Sequence, residues 1–294
     1  MITYLLLVVY ALLIVLASVA GGLIPLLARL THQRMQLALS FVAGTMLGVG
    51  LLHLVPHALT ELESIDRVVG GAMVGFLTMF FVERFFAFHH HDISEDDVAL
   101  GADHHFEHRH AEHGSLSSPR ITSTGAAIGL ALHSLADGVA LAASVQAETA
   151  DASAWSLAGL GTFLVVFLHK PFDAMTLGTL MAAGGRSPRA RHTANWLFSL
   201  LVPLGAALFS LGLGVRSQYA STMLGLGLAF SAGTFLCIAS SDLLPELQFH
   251  QHDRGKLSVA LLLGIAVAWG IGFVEGSHRG HSGHSHSRPA NHDH

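Results

Sequence analysis

Long apolar runs separated by short polar stretches dominate this chain. Eight runs match the roughly 20 residues that a helix needs to cross a bilayer. They cover residues 3–28, 35–59, 68–88, 121–145, 154–183, 194–215, 222–247 and 257–274. Backbone groups in lipid must find partners within their own segment, so the runs are expected to be helices. The first run has no basic leader and exceeds a signal-peptide core, and is expected to be retained as a span. The predicted fold is all-α and polytopic, with eight transmembrane helices. Gly44/Gly48 and Gly125/Gly129 have the spacing that lets helices approach closely.

Two polar segments interrupt the pattern. Residues 89–120 hold eight histidines and seven carboxylates, and the tail, residues 276–294, holds six more histidines. Neither has an apolar period that could bury a core, so both are expected to be disordered. The chain therefore divides into residues 1–88 (spans one to three), 89–120 (loop), 121–183 (spans four and five), 184–275 (spans six to eight) and 276–294 (tail). The His-rich segments suit either of two roles, gathering loosely held metal or acting as solvated linkers.

Composition narrows the class. Charged residues make up 12% of the 294, about half the usual share for a soluble domain. Fifteen Lys and Arg against 20 Asp and Glu leave no basic face for nucleic acid. A lone cysteine, Cys237, excludes disulfide scaffolds and thiolate-rich zinc sites. Histidine, at 22, outnumbers Lys and Arg together. One set of alternate connections carries ten Lys and Arg, and the other set with the tail carries four. The positive-inside rule then places both termini outside the cytoplasm. In a bacterium the host membrane would be the inner one.

An internal repeat links spans two and seven. Phe41-Val-Ala-Gly-Thr leads to His53-Leu-Val-Pro56-His57, and Phe230-Ser-Ala-Gly-Thr leads to Asp242-Leu-Leu-Pro245-Glu246. Every matched position is offset by 189 residues. Spans five apart cross in opposite directions, so the repeat is inverted, as in many transporters. This predicts a 3+2+3 arrangement, with spans four and five between the two copies.

The decisive residues are polar ones within the spans. Span four carries His133-Ser-Leu-Ala-Asp137, and span five carries His169-Lys170-Pro171-Phe-Asp173. Each pair, His and Asp at i and i+4, lies on one helical face. A charge at mid-membrane costs roughly 2.5–3.5 kcal/mol even on insertion scales, so these groups must face inward and find partners. Two imidazoles and two carboxylates form a four-ligand set for a borderline divalent ion: zinc first, with iron or manganese compatible. Ser134 offers a further, weak oxygen. A purely structural alternative pairs Asp173 with Lys170 and has the histidines hydrogen-bond between helices. In the metal reading, the Lys170 ammonium stands where a second cation would sit and limits the site to one metal. Toward the span ends, His53, His57, Asp242 and Glu246 suit either cation waystations or polar contacts with headgroups.

The motifs His133-Ser-Leu-Ala-Asp137-Gly138 and His169-Lys170-Pro171, with Ala232-Gly-Thr234 and Asp242-Leu-Leu-Pro-Glu246, resemble the ZIP (Zrt/Irt-like) family of divalent metal transporters. That resemblance spans essentially the whole chain. It implies a three-two-three inverted-repeat fold carrying zinc, iron or manganese into the cytoplasm. The family's span-four pattern, His-Asn-x-x-Asp/Glu-Gly, maps onto His133, Asp137 and Gly138, with Ser134 in place of Asn. Lys170 replaces a carboxylate found in many members, and Val202 stands where some carry a glutamate for a second metal. Both departures agree with a single-metal site. The His169-Lys170 start of span five is similar to one branch, typified by the human member placed ninth in its series.

The competing function is an intramembrane zinc-dependent hydrolase, in which three of the ligands hold zinc and the remaining Asp serves as base. No oxyanion stabiliser is evident beside the site, and an enzyme has no need of an inverted repeat. The expected partners are a divalent metal ion as transported substrate and the lipid bilayer, with a homodimer as the candidate assembly.

Overall fold

The computed structural model describes residues 2–23, 31–86, 119–151, 157–214, 219–243 and 254–276. Among them every regular element is helical. In chain order these are α1 (Ile2–Gly21), α2 (His32–Val49), α3 (Val55–Leu62), α4 (Ile65–Phe86), α5 (Pro119–Asp151), α6 (Leu160–Ala183), α7 (Pro188–Ser199), α8 (Leu201–Gly214), α9 (Ala220–Ile238) and α10 (Arg254–Gly276). A π-helical turn, Gly50–Leu54, joins α2 to α3, and a second, Ala239–Leu243, extends α9. Grouped as α1, α2–α3, α4, α5, α6, α7–α8, α9 and α10, they form eight spans long and apolar enough to cross a membrane. The His-rich loop up to residue 118 and the tail from residue 277 lie outside the described residues.

Span limits differ from the hydropathy reading where polar residues continue a helix. The fourth span runs on past Val145 to Asp151. The sixth begins at Pro188, with Ser187 as N-cap accepting the Ala190 N–H and proline in the first turn, where its missing N–H costs nothing. It breaks at Leu200 because Pro203 cannot donate to Ser199 and its ring crowds that carbonyl. Pro56 acts similarly on Leu52, and the widened π turn immediately before it absorbs the conflict. The fifth span continues helically through Pro171.

The outer surface is apolar. On α1, Leu5, Val8, Leu12 and Leu16 are exposed while Leu7, Tyr10 and Ile14 are buried. In water such a stripe would be costly; facing lipid it is not. Packing inside relies on glycine. A Cβ at Gly44 would strike the Leu261 carbonyl, and one at Gly233 would strike the Ala72 carbonyl. Gly264 abuts the Phe41 carbonyl and Gly75 the Phe230 carbonyl in the same way. α2 therefore lies directly against α10, and α9 against α4. Similarly, α5 packs on α8 through Gly138 and Gly205, and α1 packs on α6 where Gly21 meets the Pro171 backbone. α5 and α6 are neighbours, which brings their polar faces together.

Candidate metal centre

His133 and Asp137 sit one turn apart on α5, and His169 and Asp173 one turn apart on α6. One ligand atom from each of the four lies within 4.8 Å of all the others. His133 Nε2 is 3.4 Å from Asp137 Oδ2, 3.4 Å from Asp173 Oδ2 and 3.4 Å from His169 Nε2. His169 Nε2 is 3.2 Å from Asp137 Oδ2 and 3.8 Å from Asp173 Oδ2. Four donors around a zinc at about 2.0–2.1 Å stand about 3.3 Å apart in a tetrahedron. Five of the six donor separations thus already approximate a tetrahedral cage. The sixth, between the two carboxylates, is the edge that Lys170 bridges.

The His169 tautomer is set by the backbone. Its Nδ1–H donates to the Val165 carbonyl at 2.8 Å, which leaves Nε2 with its lone pair toward the cluster. Ser134, fully buried, donates its hydroxyl hydrogen to the Leu130 carbonyl at 2.8 Å, one turn back on its own helix. Lys170 has no solvent exposure. Its Nζ donates to Asp137 Oδ2 at 2.6 Å and to Asp173 Oδ2 at 3.0 Å, and lies 5.3 Å from the centre of the Phe198 ring. Phe198 escaped the sequence reading, since an aromatic residue in an apolar span carries no signal of its own. Val202 is buried, and its carbonyl lies against Gly138.

The residues near the span ends divide. His53, within the first π turn, donates Nε2–H to the Ala268 carbonyl at 2.7 Å, and its Nδ1 edge faces Gly161 on α6. His57 Nε2 lies 3.8 Å from Glu148 Oε1, a partner the sequence reading missed. The structure thus brings neither histidine into the four-residue cluster. Asp242 falls in the second π turn, but its side chain and the whole of Glu246 lie outside the described residues.

The profile of the family described as "ZIP Zinc transporter" matches residues 4–272. The chain belongs to the ZIP family. Zinc transporter ZIP9-B of Xenopus laevis is 27% identical to this ZIP protein over 297 aligned positions, covering 84% of the chain and 90% of the relative. Zinc transporter YKE4 of Saccharomyces cerevisiae is 26% identical over 233, covering 76% and 64%. Zinc transporter 5 of Oryza sativa subsp. japonica is 28% identical over 272, covering 79% and 73%. The resemblance drawn from the His133–Gly138 and His169–Pro171 motifs is therefore established at family level.

Proposed function

We propose that this ZIP protein moves a divalent transition metal, zinc foremost, toward the cytoplasm through one site formed by His133, Asp137, His169 and Asp173. The near-tetrahedral spacing of those four donors carries the reading. Relatives named as zinc transporters support zinc over iron or manganese. Membership of a transporter family argues against the hydrolase alternative. Lys170 takes the role of a fixed second cation: it neutralises one of the two carboxylates and holds both in place. Val202, apolar and buried, offers no ligand for another metal. The set lacks a thiolate, which suits an ion that must leave again.

Three further observations support an inverted 3+2+3 repeat. The π turns at Gly50–Leu54 and Ala239–Leu243 are offset by the same 189 residues as the sequence match. The contacts of Gly44 with Leu261 and of Gly233 with Ala72 interchange under that offset, as do those of Gly264 with Phe41 and Gly75 with Phe230. His53 and Asp242 occupy equivalent places in the two turns. Relatives named ZIP9 favour the His-Lys branch.

The test is zinc-65 uptake into proteoliposomes. Asp137→Ala and Asp173→Ala are each expected to cut the rate at least about tenfold, the effect of losing a metal ligand. Wild-type rates in both variants would remove the site.

A further inference from the structure

The fourth span carries more polar chemistry than its central motif. Residues 137, 144 and 148 are separated by seven and four positions, so at 100° per residue Ser144 and Glu148 lie within about 20° of the Asp137 line. At about 1.5 Å per residue, Glu148 stands about 16 Å along the helix from Asp137, toward the end of the span remote from the His-rich loop. Its carboxylate is divided between two tasks. Oε2 accepts the Gly159 N–H at 2.7 Å, at a backbone φ of 74° where the chain enters α6. Oε1 accepts the Ser144 hydroxyl at 3.2 Å and faces His57 Nε2 at 3.8 Å. His57 reaches this point from α3, and both side chains are largely enclosed, 14% and 9% exposed.

A backbone N–H needs only a neutral acceptor. An anionic group here, aligned with the central ligands and facing an imidazole across a span boundary, has the chemistry of a cation site. We infer that His57 and Glu148, with Ser144 as an oxygen donor, form a second, weaker divalent-metal site that captures the ion before it descends to the central cluster. The donors are one nitrogen and one carboxylate oxygen at 3.8 Å, and closing by about 0.5 Å gives the tetrahedral edge. With fewer protein ligands than the centre, the site loads and releases readily. Its role as a staging post rests on the central-site reading; its occupancy does not.

Two measurements test it. Zinc-65 uptake is compared for wild type, Glu148→Gln, His57→Asn and the double variant; glutamine keeps an acceptor for Gly159. Loss of one ligand from a shared site is expected to raise KM about tenfold at unchanged maximal rate in each single variant. The double variant should be no worse than either single one. Unaltered KM in both single variants overturns the inference. So does a fall in maximal rate confined to Glu148→Gln, which identifies the carboxylate as a loop cap only. An anomalous map at the zinc edge, from crystals of the full chain grown with zinc, separates the two sites. A peak between His57 and Glu148, absent in Glu148→Gln, supports the outer site. A central peak alone rejects it and spares the central reading, whereas an outer peak alone rejects the central one.

Discussion

Lys170 Nζ lies 2.6 Å from Asp137 Oδ2, and that same oxygen lies 3.2 Å from His169 Nε2. One carboxylate oxygen therefore accepts from the lysine while lying on the imidazole side of the cluster. The ammonium also reaches Asp173 Oδ2 at 3.0 Å, so it bridges the two carboxylates. If the four donors hold a metal as proposed, the lysine and the ion would share these two carboxylates, with two negative charges between two cations.

Removal of the lysine deprives the two carboxylates of the ammonium that bridges them. Breaking a buried pair in this way costs about 3–5 kcal/mol. Lys170→Ala is expected to lower the thermal unfolding temperature of zinc-free protein, and added zinc should restore much of the loss. Equal melting of the zinc-free variant and wild type would show that the lysine does not hold the carboxylates.

Reversal of the charge at the same place has a different consequence. Lys170→Glu supplies an oxygen ligand where the ammonium stood and adds charge for a second cation. Two zinc peaks are expected at the centre of an anomalous map of that variant, against one in wild type. A single peak in both would argue against the lysine as a fixed second cation.

Ser134 is expected to matter little. Its hydroxyl hydrogen is committed to Leu130 within its own helix, so Ser134→Ala should leave zinc-65 uptake within about twofold of wild type. A tenfold loss would make the serine oxygen a ligand.

The packing has its own test. A Cβ at Gly233 would meet the backbone of Ala72 and Phe76, neither of which can rotate away, so Gly233→Ala should destabilise by about 1–3 kcal/mol. Gly178 has nothing within 4 Å of the same construction, and Gly178→Ala should be neutral or stabilising. Thermal unfolding of the two variants in parallel is the check. Equal destabilisation would mean that close α4–α9 contact is not what requires Gly233.

Much of the centre was legible because the physics is local. Two His-x-x-x-Asp turns on adjacent spans can turn only inward, and inward they meet. Glu148 was not legible. Apolarity falls after Val145, so a reading by hydropathy stops the fourth span there, and a helix whose end is enclosed by protein has no need of apolar residues. Extending the helical line by eleven residues from Asp137 would have exposed the alignment. Arg189 and Arg191 hid the start of the sixth span in the same way, although Ser187-Pro188 was a usable start signal. The π turns leave no compositional trace beyond Pro56 and the repeat-related Pro245, since one extra residue in a hydrogen-bond ladder changes no pattern of polarity.

The most direct measurement is where zinc sits in wild-type protein. An anomalous map at the zinc edge should show one peak at the centre, within about 2.3 Å of His133 Nε2, His169 Nε2 and one oxygen each of Asp137 and Asp173. Lys170 should remain within hydrogen-bond reach of both carboxylates. An empty centre in zinc-saturated crystals, with Asp137 and Asp173 still bound to Lys170 and the two histidines still beside them, would contradict it.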